Sequence, residues 1–144
     1  MIDHIGFPVS DYVRAKAFYT QALAPLGYAL IVEVQQNDND ALASGFGPDG
    51  VPNFWIGGEG GLEKPLHVAI AARDRAAVDA FHEAAIAAGG TDNGAPGIRA
   101  QYHPNYYAAF VLDPDGNNIE AVCHHAAGKD HTQSGLPPKQ SSYT

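Results

Sequence analysis

The sequence predicts an α+β fold built from two tandem βαβββ modules that share one composite sheet. Three observations point there. His4 and His67, Phe18 and Phe81, and Gly27 and Gly90 are each separated by 63 positions, so the chain carries an internal repeat. Within each repeat a short apolar run precedes a segment of helical periodicity, and apolar or β-branched runs separated by turn residues follow it. A unit of about 60 residues is marginal alone, whereas two side by side can bury both helix faces and leave a cleft between them.

The elements follow in order. Ile2–Pro8 reads as an apolar strand that contains His4. Ser10 or Asp11 can cap the next helix, since a short polar side chain accepts from the unpaired amides of a first turn. Ala15, Phe18, Tyr19, Ala22, Leu23 and Leu26 then fall on one face of a 3.6-residue period, and Gly27 ends it. Tyr28–Val34 is β-branched and apolar and reads as a strand. Gln35–Asp40 is a polar turn, Ala41–Phe46 a weaker strand, Gly47-Pro48-Asp49-Gly50 a turn and Asn53–Ile56 the last strand of the module. In the second module Leu66–Ala72 is a strand with His67, and Asp74 caps a helix whose face is Val78, Phe81, Ala85 and Ala88. Gly89-Gly90 stops that helix, and Ile98–Tyr102, Tyr106–Leu112 and Asn117–Cys123 are the expected strands, the last two joined by the turn Asp113-Pro114-Asp115-Gly116. This gives one domain, 1–123, made of modules 1–57 and 65–123 with a Gly-rich linker, 58–64, and a tail, 124–144. The tail lacks periodicity and is expected to be extended or disordered. Its His124, His125 and His131 read as solvated residues, because ligands on floppy chain must be ordered at an entropic cost.

Composition narrows the function. The net charge of −8 argues against nucleic acid or an anionic membrane as the main partner, but a small anionic ligand needs only one well-placed Arg. The single cysteine, Cys123, rules out an internal disulfide and a CxxC metal knuckle. The N-terminal run MIDHIGFPVS reads as a strand rather than a secretory leader, and no run approaches the roughly 20 apolar residues of a membrane span, so the cytoplasm is the expected compartment.

Glu120 is flanked by Ile119, Ala121 and Val122. A carboxylate in so apolar a strand either faces water or has a partner, because an unpaired buried charge is very costly. The repeat makes a pair of His4 and His67, each in the first strand of its module. A pseudo-two-fold between modules can bring them toward one point, with Glu120 on the last strand. Two imidazoles and a carboxylate with open positions suit Fe, Mn, Ni or Zn as a divalent ion, and the set alone does not choose among them.

The strand histidine followed by a helix, repeated, and the closing DPDGNNIE of Asp113–Glu120 resemble the vicinal oxygen chelate superfamily: glyoxalase I, bleomycin and fosfomycin resistance proteins, and extradiol dioxygenases. The resemblance covers about Met1–Cys123. It implies a cupped mixed sheet with the helices outside, a homodimer, and metal ligands from the first and last strands, which are His4, His67 and Glu120 here. Glyoxalase I has a fourth ligand on the last strand of the first module. The 66-residue offset between the two Pro-Asp-Gly turns maps Glu120 to Phe54, beside Trp55 and Ile56, none of which binds a metal. The resemblance to extradiol dioxygenases assigns His103 as a general acid/base, and Phe110 stands where they carry a Tyr. In the segment RAQYHPNYY, Arg99 or Tyr107 would orient a polar substrate, with Tyr102 and Tyr106 beside it; the alternative is a polar loop edged by packed rings. Two functions are therefore expected. One is a divalent-metal-dependent enzyme of glyoxalase or dioxygenase type that chelates substrate oxygens, with Glu120, His103 and Tyr107 in catalytic roles. The other is a metal-free small-molecule binding protein of the bleomycin-resistance type, with Phe54, Trp55 and the Tyr cluster stacking on its ligand.

Overall fold

A computed structural model describes residues 1–36 and 41–128. The first module contains β1 (Ile5–Pro8), α1 (Tyr12–Ala22), a short 3-10 turn (Ala24–Leu26), β2 (Ala29–Gln36), β3 (Ala41–Gly47) and β4 (Phe54–Gly57). The second contains β5 (His67–Ala71), α2 (Arg75–Ala87), β6 (Thr91–Ile98), β7 (Tyr107–Leu112) and β8 (Asn118–Cys123). Each module makes a four-stranded mixed sheet, in the orders β1-β4-β3-β2 and β5-β8-β7-β6. In each, the first strand pairs in parallel with the last, and the other neighbours are antiparallel. These are the tandem βαβββ modules of an α+β fold.

Both helices start at the expected caps. Asp11 accepts from the Arg14 amide at 3.0 Å, and Asp74 from the Ala77 amide at 2.7 Å. Their apolar faces are buried, with Ala15, Phe18, Tyr19 and Ala22 on α1 and Val78, Phe81 and Ala85 on α2. These residues belong to one core cluster that runs through both modules and takes in Phe7, Phe46, Phe54, Ile70, Val111, Ile119 and Cys123.

The DPDG turn is a structural clamp. Asp113 is 4% exposed. Its carboxylate accepts from the Asp115 and Asn117 amides, the Asn117 side-chain amide and the Tyr19 hydroxyl of α1, at 2.5–2.9 Å. Asn117 Oδ1 accepts from the Leu66 amide at 3.0 Å, which ties the hairpin to the entry of β5. Asp115 accepts from both the amide and the hydroxyl of Ser10, just ahead of α1. A turn in the second module is thereby fastened to the helix of the first.

Three expectations need correction. The strand expected at Ile98–Tyr102 is instead β6, Thr91–Ile98, and residues 99–106 form a loop. TDNGAPGI has poor strand propensity, but its ladder with β7, irregular at Asp92–Gly94 and Gly94–Gly97, overrides that preference. β2 extends through Gln35 and Gln36, which were read as turn; residues 37–40 of that turn lie outside the described residues. The tail also differs at its start, because His124 stacks on His103 beside Tyr106 in the loop of residues 99–106; residues 129–144, with His131, lie outside the described residues.

Candidate functional site

Strand alternation sorts the second sheet into two faces. Ile70 on β5, Val111 on β7 and Ile119, Ala121 and Cys123 on β8 enter the core. His67, Phe110 and Glu120 lie on the opposite face, where Phe110 and Glu120 are directly paired across the strands. Glu120 is 2% exposed. Its Oε1 accepts from the Tyr106 hydroxyl at 2.5 Å, and its Oε2 lies 2.8 Å from His67 Nε2. The buried carboxylate thus has two partners, which is the condition for keeping it there. The other side of His67 is open, its side chain being 53% exposed.

Behind Tyr106 stands a histidine pair. His103 Nε2 is 2.8 Å from His124 Nδ1, with the rings stacked. The Asn105 amide donates to His103 Nδ1 at 3.1 Å, so that nitrogen carries no proton. That leaves His103 Nε2 as the ring nitrogen able to donate to His124 Nδ1. Burial, followed by the neighbouring His103 and His125, holds the His124 imidazole below its usual range. The Tyr106 ring lies 5.2 Å from the His124 ring, 5.4 Å from His103 and 4.8 Å from the exposed Tyr102. The structure corrects the sequence reading of His124 as a solvated tail residue. The signal was available: positions 120, 122 and 124 share a strand face if the alternation is carried one residue past Cys123.

The first module meets this site at His4. The ring is exposed just ahead of β1, with Nδ1 2.7 Å from Asp3 Oδ1. It lines two cavities. One, of about 410 Å³, lies between the run entering β1 and strand β5, and His67 and Ala69 are on its far wall. The other, of about 750 Å³, lies against the first sheet, with Gly6, Trp55 and Gly57 in its lining. Among the described residues no group of three or more His, Cys, Asp or Glu side chains converges. The structure brings His67 and Glu120 together, and His4 shares only a cavity lining with His67.

The strand ladders also correct the equivalence between modules. Gly6 pairs with Trp55 as Ala69 pairs with Glu120, so Trp55, not Phe54, is the counterpart of Glu120. The 66-residue offset of the turns overshoots by one, because the loop from Gly50 to β4 is one residue longer than its counterpart. The Trp55 indole packs across β3 at Gly45, where a Cβ would stand 2.9 Å from the ring. Phe54 belongs to the core, edge-on to Phe7, although it also borders the smaller cavity. Tyr107 departs further from the expectation, since alternation turns it to the helix side. Its hydroxyl donates to Asp79 at 2.6 Å on α2, and the Arg75 guanidinium lies over its ring. It does not join Glu120. Arg99 is on the Glu120 side, over the Phe110 ring at 5.3 Å.

Comparison with known proteins agrees with the topology. The family description "Glyoxalase/Bleomycin resistance protein/Dioxygenase superfamily" matches residues 1–121. No curated protein sequence matches. Among solved structures, a glyoxalase/bleomycin resistance protein from Albidiferax ferrireducens T118 is 29% identical with a TM-score of 0.65, over 84% of this chain and 96% of that one. Glyoxalase I from Zea mays is 24% identical with a TM-score of 0.65, over 87% of this chain and 44% of the maize chain, and shares the fold. A glyoxylase/bleomycin resistance protein/dioxygenase domain from Frankia sp. EAN1pec shares it too, at 16% identity and TM-score 0.65, over 87% of this chain and 92% of that domain.

Proposed function

The chain belongs to the glyoxalase/bleomycin resistance protein/dioxygenase superfamily, and from there we propose that it is a divalent-metal-dependent enzyme acting on a small oxygen-bearing molecule. The observation that carries this is the buried Glu120 carboxylate held 2.8 Å from an otherwise open His67. That contact sets an imidazole nitrogen and a carboxylate oxygen, both ordinary ligand atoms for a divalent ion, side by side. His67 and Glu120 would hold the ion, with His4 as the third ligand from the facing wall of the shared cavity. Such an ion supplies Lewis-acid polarisation of substrate oxygens.

The chain's own groups have separate tasks. Tyr106 grips the second oxygen of Glu120 and fixes the carboxylate's orientation toward His67. His103 reaches the site through the Tyr106 ring rather than directly, so it is a positioning residue. Trp55, in the place of a fourth ligand, leaves the first module with an aromatic wall instead of a donor. Native protein purified without chelator should contain near-stoichiometric Fe, Mn, Ni or Zn by elemental analysis. His67→Ala and Glu120→Gln should each lower metal content at least tenfold. Absence of metal after reconstitution with each ion overturns the reading.

The position of Trp55 favours a second reading, a metal-free binding protein in which the 750 Å³ cavity takes an aromatic ligand against the indole. In that case the metal content is nil and Trp55→Ala, not His67→Ala, removes ligand affinity. We further propose that the protein acts as a homodimer, which sedimentation velocity measures directly.

A further inference from the structure

Among the described residues Arg99 is a fixed cation with no acid within ion-pair distance. Its Nη1 donates to the Gly97 carbonyl at 2.9 Å and its Nη2 to the Ala95 carbonyl at 2.8 Å. A guanidinium has five N–H donors, so three remain unspent by these bonds. Among the described residues no carboxylate lies within ion-pair distance of it, in a chain with 16 acidic and 8 basic residues. The backbone is shaped around this side chain. A Cβ at Gly94 or at Gly97 would stand 3.2 Å from a guanidinium nitrogen, tighter than ordinary packing. The irregular ladder of β6 and its two glycines therefore make a seat for Arg99. The guanidinium also lies over the Phe110 ring, and Phe110 is 6.3 Å from the His67 ring, centroid to centroid. Arg99, Phe110, His67 and Glu120 form a row on one sheet face.

We propose that Arg99 anchors an anionic group of the substrate, so that the substrate class is small organic carboxylates. The row sets the order of contacts. The carboxylate pairs with Arg99, the body of the molecule passes the edge of Phe110, and its other oxygens reach His67 and Glu120. Guanidinium suits this task because it stays charged at all working pH values and offers donors in a planar fork that matches a carboxylate. Clamping by two carbonyls and a ring removes most of the rotamer entropy that binding would otherwise cost. This assignment of substrate rests on the proposed function for the other end of the row, while the anion site itself does not require a metal.

The test uses benzoate and its neutral isostere benzamide, titrated into the protein as purified and followed by ¹⁵N-resolved NMR. Benzoate should bind at least tenfold more tightly than benzamide, with shifts centred on Arg99, Gly97 and Phe110. Arg99→Gln should erase that preference, and Arg99→Lys should keep part of it, since charge survives without the fork. His67→Ala should leave the preference in place, which separates failure of the anion site from failure of the metal reading. Equal affinity for the two probes, no binding of either, a preference that survives Arg99→Gln, or one lost in His67→Ala overturns the proposal. The wild-type comparison decides the matter even if Arg99→Gln fails to fold.

Discussion

Two buried carboxylates show how residue environment separates support from chemistry. Asp113 has four donors and faces packed protein. Its hydrogen-bonding capacity is filled from within, so it has little left to offer a ligand. Glu120 is as deeply buried but has two partners, one of which is open on its far side. The Tyr19–Asp113 contact also makes a prediction about pH. Burial, and then the adjacent Asp113 carboxylate, raises the Tyr19 phenol well above its usual range. In the folded state it stays protonated where the unfolded chain ionises, near pH 10. The unfolded state then binds fewer protons, so stability is full below about pH 10 and falls as pH rises through the folded value. Urea midpoints should decline steeply above pH 10, and Tyr19→Phe should flatten that decline while lowering stability at pH 7 by about 1–3 kcal/mol for the lost hydrogen bond to a charged group. An unchanged alkaline slope in Tyr19→Phe contradicts the account.

At the scale of elements, legibility followed the strength of the local signal. The helices were readable because cap, apolar face and stop agree within each, from Asp11 to Gly27 and from Asp74 to Gly90. β6 was not, because Asp92, Asn93, Gly94, Pro96 and Gly97 speak for a loop and only pairing with β7 makes them a strand. Two of those residues, Gly94 and Gly97, leave the room that the Arg99 guanidinium occupies. The site was legible to the same degree. His67 and Glu120 came from the repeat and from the cost of a charge in an apolar strand. The counterpart of Glu120 was placed one position off, at Phe54 instead of Trp55, because a turn motif records the loop and not the register of the strand after it. Tyr107 was misplaced because a cluster of aromatic residues does not say which face each occupies. The caps allow a direct check. Asp74→Ala removes the acceptor for the Ala77 amide at the start of α2 and should cost about 1 kcal/mol, whereas Asp74→Asn should cost a few tenths. Equal losses would assign the effect to the exposed Arg73 pair, which surface pairing gives little weight.

The whole molecule is fastened on one side and open on the other. Helices and the DPDG turn join the modules. Phe18 packs where a Cβ at Gly90 would meet it at 2.8 Å, Tyr19 bonds Asp113, and Ser10 bonds Asp115. On the other side no strand ladder links the two sheets among the described residues, and the cavity between the run entering β1 and strand β5 is lined by both His4 and His67. The site therefore depends on docking of modules that, among the described residues, make no backbone hydrogen bonds to each other across it. A core that runs through both halves means neither half can bury its own apolar face. Expressed separately, residues 1–64 and 65–144 should each show weak near-ultraviolet dichroism and no cooperative urea transition. Mixed, they should form a one-to-one complex that recovers both. The interface is the half-core around Phe18, Tyr19, Phe81 and Val111, so Tyr19→Ala in the first fragment should weaken reassembly at least tenfold. Cooperative unfolding of either fragment alone would mean that the modules are independent domains, with the site lying between two bodies rather than within one.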